Sequence, residues 1–165
     1  MTPKPPPSAL EKALRILSVR ACSEAELSAR LRRAGYPRNE TENAVRECAG
    51  RHYVDDELLA GDCAVLWQNR GHGVRSIRCK LRQRGVPEEI ADAALAEAAE
   101  REAETAVSVV DAKLSAWLRE KDRRKRKAKA LRFLSARGFS GDALRVAMAH
   151  LEAAGKAANE DAETD

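Results

Sequence analysis

One pattern recurs three times and limits what this chain can fold into. ELSARLRRAGY (26–36), SIRCKLRQRGV (76–86) and ALRFLSARGF (130–139) share one spacing. An aliphatic residue or Ala is followed four residues later by a Leu, then four later by a Gly and an apolar residue. Gly35 and Gly85 lie 50 residues apart, and Gly85 and Gly138 lie 53 apart. Leu17, Trp67 and Trp117 are also spaced by 50, and Ala44, Ala94 and Ala147 each follow their Gly by nine. The three extra residues therefore fall between Trp117 and Gly138, in the basic stretch REKDRRKRKAK (119–129). A fixed period with one localised insertion marks a repeat protein. The expected fold is all-α: three tandem three-helix repeats, 9–54, 55–104 and 105–154, stacked into an elongated, curved array. A flexible Pro-rich lead (1–8) and a disordered acidic tail (155–165) flank them.

The helices announce themselves locally. Leu10, Ala13, Leu14 and Leu17 fall on one stripe. Ser23 and Glu26 form an S-x-x-E capping box ahead of Leu27 and Leu31, and Gly35 is a left-handed stop. Pro37 starts the next helix, with Ala44, Val45 and Cys48 inward. In the middle repeat Asp55 or Asp56 caps a helix whose stripe is Leu59, Cys63, Leu66 and Trp67. Val74, Ile77 and Leu81 mark the second helix, stopped by Gly85. Pro87 opens the third, with Ile90, Ala94 and Ala98 inward. In the last repeat Val107, Val110, Leu114 and Trp117 form the stripe. Asp122 caps the following helix, Leu131 and Leu134 face in, and Gly138 stops it. Ala143, Ala147 and Leu151 close the core. Trp67 and Trp117 read as core residues, because large aromatics dominate a core in which aromatics are only 4% of the chain.

Charge is unevenly placed. Residues 1–54 hold 10 basic and 6 acidic residues, net +4; residues 55–104 hold 7 and 11, net −4; residues 105–165 hold 13 and 9, net +4. That alternation fits a polyanionic partner or an acidic protein groove better than a uniform nucleic-acid coat. No stretch approaches the roughly 18 apolar residues of a membrane span, so the chain is read as soluble and cytoplasmic; a monomer is also expected.

Enzyme chemistry finds little support. Gly71-His72-Gly73 lacks the third Gly and the preceding strand of a dinucleotide site. His52, His72 and His150 are scattered, and each reads as a helix-end residue. Cys22, Cys48, Cys63 and Cys79 show no C-x-x-C spacing, so neither a zinc site nor a disulfide framework is expected, and no cofactor. Cys63 reads as a small core hydrophobe. The basic residues are the stronger signal. Arg75, Arg78 and Arg82 share one face of the middle second helix, opposite Val74, Ile77 and Leu81, with Lys80 and Arg84 flanking. Arg30 and Arg33 occupy similar ground in the first repeat. Arg123, Arg124, Lys125, Arg126, Lys127 and Lys129 crowd one turn and a half. Such a cluster repels itself unless a partner answers it.

The run Tyr53-Val-Asp-Asp-Glu-Leu-Leu-Ala60, the run Arg70-Gly-His-Gly through Arg84-Gly85, and Leu131-Arg-Phe-Leu-Ser-Ala-Arg-Gly-Phe139 together resemble the RecX family, over about residues 9–152. The family more often shows an aromatic after the acidic pair, where this chain has Leu58-Leu59. The resemblance implies tandem three-helix units and a non-enzymatic regulator. Such a regulator binds RecA filaments on single-stranded DNA and lowers recombinase, ATPase and co-protease activity in DNA repair and the SOS response. Arg75, Arg78, Arg82, Arg123, Arg124, Arg126 and Lys127 would then face the recombinase or nearby phosphates. Leu31, Leu81, Leu134, Trp67, Trp117, Gly35, Gly85, Gly138, Asp55 and Asp56 would hold the fold. The alternative is a stand-alone helical nucleic-acid-binding protein using basic helix faces, on single- or double-stranded DNA, suggested by a helix-turn-helix look over Ser23–Cys48 and by the 123–129 run as a phosphate dock.

Overall fold

A computed structural model describes residues 6–163. Among them there are nine helices and no strand: α1 (Ala9–Leu17), α2 (Glu24–Arg33), α3 (Arg38–Gly50), α4 (Asp56–Asn69), α5 (Val74–Gln83), α6 (Glu88–Glu100), α7 (Glu102–Leu118), α8 (Arg123–Ala136) and α9 (Gly141–Glu163). They form two compact units. One joins the chain up to Asp62 with Lys80–Ala94, and the other joins Cys63–Cys79 with the chain from Leu95 onward. The helices α4, α5 and α6 therefore each give one half to either unit.

In the first unit Ala13, Leu27, Leu31 and Cys48 are fully buried between α1, α2 and α3. Ser8 opens α1 with a capping box to Glu11, and the Tyr36 hydroxyl donates to the Pro7 carbonyl at 2.7 Å. The lead is thus tied down at its last two residues; residues 1–5 lie outside the described residues. In the second unit Val110, Trp117, Leu134, Phe139 and Leu151 form the core. Trp117 meets Phe133 edge to face, with ring centroids 5.7 Å apart.

The inward faces are shifted from some of the expected stripes. Leu14, Leu66 and Leu131 are exposed, and Trp67 is half-buried. On α6 the buried residues are Ala91, Leu95 and Ala98; Ile90 and Ala94 flank them. The physical reason is close approach. Ala60, Ala64, Ala91 and Ala130 sit at the helix contacts, and the bulkier neighbours lie to the side. The acidic tail is also corrected. The helix α9 continues to Glu163, past the expected break at Gly155. Gly155 is buried beneath the Arg126 guanidinium, where an added Cβ would stand 2.8 Å from Arg126 Nη2. Close packing, not chain termination, accounts for that glycine.

The three recurrent glycines have φ of +92° (Gly35), +75° (Gly85) and +87° (Gly138), as the stop reading predicts. Two of them also dock. A Cβ on Gly85 would lie 2.5 Å from Ala25 Cβ at the start of α2. One on Gly138 would collide with the backbone nitrogen of Ser76 at the start of α5. Gly35 has nothing within 4 Å. Gly35→Ala should therefore cost about 1 kcal/mol, the strain of a left-handed Ala alone. Gly138→Ala should cost at least about 2 kcal/mol more, because backbone must move. Urea unfolding of the two variants measures the difference; equal losses would show that the docking contact contributes nothing.

Candidate functional site

Two equivalent joints position the basic surface. At the first, the chain leaves α5 through Arg84 and Gly85 and packs on the start of α2. Arg84 Nη2 donates to Ala21 O at 3.0 Å and to Glu26 Oε2 at 2.9 Å. The Ser23 hydroxyl accepts from Glu26 N and donates to Arg84 O. Glu24 N donates to Asp56 Oδ1 at 3.0 Å, so the first residue of α4 caps α2. Asp55 caps α4 itself, accepting from Leu58 N at 2.9 Å. The expectation that either aspartate caps α4 thus resolves into two different jobs.

At the second joint the chain leaves α8 through Arg137 and Gly138 and packs on the start of α5. Arg137 Nη1 donates to Arg70 O at 2.7 Å and Gly71 O at 3.2 Å, with its guanidinium 4.9 Å from the Phe133 ring centroid. Gly73 N donates to Arg137 O at 2.9 Å. Val74 N donates to Glu102 Oε1 at 2.9 Å, so the first residue of α7 caps α5 as that of α4 caps α2. Burial raises the carboxyls of both caps, Asp56 and Glu102, above their ordinary range. The helix α5 is therefore held at both ends.

The helix α5 has one apolar and one basic face. Ile77 and Leu81 are fully buried, Arg75 and Arg82 are exposed, and Arg78 is half-buried. The expected division of the helix into an apolar and an arginine face is present. The cluster on α8 is different. Asp122 caps that helix through Arg124 N (2.8 Å) and Lys125 N (3.2 Å). Lys127 Nζ pairs with Glu152 at 2.6 Å and Arg123 with the same carboxylate at 3.5 Å. Those cations hold the Glu152 carboxyl below its ordinary range, Lys127 first. Arg126 is corrected: it is buried, 9% exposed, donating to Glu120 O at 3.1 Å and covering Gly155. It is a packing residue, and only Arg123, Arg124, Lys125, Lys127 and Lys129 of the cluster face out. Part of the repulsion read from the sequence is answered within the chain, by α9.

The structure adds a basic cleft that the sequence reading did not assemble. Arg20, Arg30, Arg33 and Arg84 line a cavity of about 320 Å³ in the first unit, with Glu26 as its one carboxylate. Arg30 and Arg33 come from α2; Arg84 arrives from just past the end of α5. The signal for Arg84 was present in the Arg-Gly step shared by 84–85 and 137–138. Among the described residues no three His, Cys, Asp or Glu side chains gather as a metal would require, and no helix is long and apolar enough to cross a membrane.

Family comparison follows the same three-part plan. The model described as "RecX, first three-helix domain" matches residues 9–48, the second-domain model matches 64–95 and the third-domain model matches 100–148. This chain belongs to the RecX family. The Regulatory protein RecX of Vibrio campbellii is 35% identical over 141 residues, covering 86% of this chain and 90% of its own. That of Thermus thermophilus is 37% identical over 131 residues, covering 79% and 83%. A crystal structure of RecX from Lactobacillus salivarius matches the fold with a TM-score of 0.79 at 19% identity, over 87% of this chain and 94% of that one. A second crystal structure, of a regulatory protein RecX, gives 0.73 at 26% identity, over 83% and 68%. Both Arg-Gly steps fall inside matched RecX domains, the second and the third.

The Arg84–Glu26 pair sets a pH dependence. Burial alone would raise the Glu26 carboxyl; the hydrogen bonds from Arg84 and Ser23 N and the charges of Arg84 and Arg20 outweigh it, and the carboxyl lies below its ordinary range. A carboxyl lowered in the folded state stabilises fully above its unfolded value, about 4.3, and that contribution is lost as pH falls through the lowered folded value. Arg84→Gln should remove the lowering. Urea midpoints measured from about pH 6 down to about pH 3 should then fall less steeply in the variant than in the wild type. Parallel curves would mean that the pair does not couple to folding.

Proposed function

We propose that this chain regulates the RecA recombinase by binding RecA filaments on single-stranded DNA, limiting filament growth and lowering recombinase, ATPase and co-protease activity. Its relatives carry the name Regulatory protein RecX. The observation that carries the reading is the anchorage of α5. A helix pinned at both ends, with Ile77 and Leu81 fully buried, presents Arg75, Arg78 and Arg82 on a rigid element. Rigidity lowers the entropy lost when arginines engage carboxylates or phosphates. Arg123, Arg124 and Lys127 on α8 are a second group of basic side chains for the same partner.

A second reading is favoured by the cleft of Arg20, Arg30, Arg33 and Arg84: direct binding of DNA phosphates. The two readings separate by salt and by partner. Filaments assembled on immobilised single-stranded DNA should bind the wild type, and Arg75→Glu with Arg82→Glu should weaken that binding at least about tenfold, roughly 1.4 kcal/mol, with helicity unchanged by circular dichroism. Undiminished filament binding by that double variant would remove α5 from the proposal. Equal affinity for bare DNA and for filaments, falling steeply with salt in both, would favour the second reading.

A further inference from the structure

The charges of this chain are sorted by helix. The helix α4 carries three carboxylates and α6 carries five, and neither carries a Lys or Arg. In the first unit these helices leave a ridge that none of the described residues covers. Leu58 is 66% exposed and Tyr53, on the loop before it, is 51% exposed. A groove of about 380 Å³ runs along the Glu57–Gly61 row, lined by Gly61, Ile90 and Ala93 with the carboxylates of Glu57 and Glu89. A smaller cleft of about 100 Å³ follows the neighbouring row, where Leu58 and Tyr53 meet Asp55 and Asp62. The one base there, His52, lies 3.7 Å from Asp55. A single exposed Leu needs no explanation. Two large exposed apolar residues beside two clefts whose charged groups are otherwise all acidic do, because such a surface is complementary to one kind of partner.

We infer that this ridge and its clefts dock an amphipathic basic segment of a protein partner, a helix turn or two carrying aliphatic anchors beside Lys or Arg. The aliphatic side chains cover Leu58 and Tyr53 and enter the groove over Gly61 and Ala93, where small residues permit close approach. The basic side chains meet Glu57 and Glu89 on one side and Asp62 on the other. The surface is opposite in charge to the arginine face of α5, so it takes a different chemical class of contact. It does not depend on the regulatory reading, and it is tested without recombinase or DNA.

The probe is a fluorescein-labelled synthetic peptide of about 14 residues, long enough to form helix on binding, with Leu and Lys each repeated at i, i+4. Fluorescence anisotropy in about 0.1 M salt should show saturable binding with Kd in the range of about 10–100 μM. Leu58→Ser, which alters an exposed side chain and leaves the core intact, should weaken it at least about tenfold. Glu57→Lys with Glu89→Lys should do the same, and Glu100→Lys, on α6 but outside both clefts, should not. A peptide with its Leu replaced by Ser should bind at least about tenfold more weakly. The inference is overturned by an absence of saturable binding, by equal binding of the Leu and Ser peptides, or by a Leu58→Ser variant that binds as the wild type does. It is also overturned if light scattering shows the protein alone self-associating through this ridge, with the association lost in Leu58→Ser, since the occupant would then be a second copy.

Discussion

An arginine followed by a left-handed glycine, set against the start of an earlier helix, is the constraint on which the rest of this structure depends. At both joints the glycine must lack a Cβ, because Ala25 or Ser76 occupies its place. At both, the arginine spans main-chain carbonyls that precede a helix and have no helical partner: Ala21 in one case, Arg70 and Gly71 in the other. A guanidinium suits this task because its donors are fixed in a planar fork; an ammonium on a flexible stem would hold one carbonyl with less direction. An acidic residue that opens the second helix further along then caps the free amide, Asp56 on α4 for α2 and Glu102 on α7 for α5. Each joint thus satisfies several main-chain polar groups at once, and the Arg-Gly step that builds it recurs at 84–85 and 137–138.

From this follows the division of labour among the helices. The helix α5 has one joint at its start and another just past its end, and its arginines stand opposite the buried Ile77 and Leu81. The α8 cluster is more self-contained. Arg126 packs inward and Glu152 answers Arg123 and Lys127, so its outward charge is smaller than the run RRKRK suggests. The acidic helices α4 and α6 keep a separate chemistry. Under the proposed regulatory reading, surfaces of opposite sign would each reject the other's partner.

The helices, stops and caps were legible in the sequence because each rests on local chemistry. The Ser23–Glu26 box, the Asp122 cap and the left-handed glycines need only neighbours a few residues away. The inward face was legible less well. Periodicity points to the leucines, yet Leu14, Leu66 and Leu131 are exposed while Ala60, Ala64 and Ala130 are buried, since in an Ala-rich chain close approach of backbones decides burial more than side-chain size. The candidate site was legible only in part. Arg75 and Arg82 follow from helical periodicity. The cleft that unites Arg20, Arg30 and Arg33 with Arg84 depends on a long-range contact that no periodicity encodes. Arg126 was misassigned because a cluster of six basic residues gives no sign of which one will turn inward over a buried glycine 29 positions later.

The most direct measurement on the regulatory reading is the DNA-dependent ATPase rate of a RecA recombinase on single-stranded DNA as this protein is titrated in. Regulation of filaments predicts a fall at protein concentrations well below that of the recombinase, because one bound regulator acts on many subunits. A fall that appears only when the protein saturates the DNA, or no fall with protein shown to be folded and helical, would contradict it.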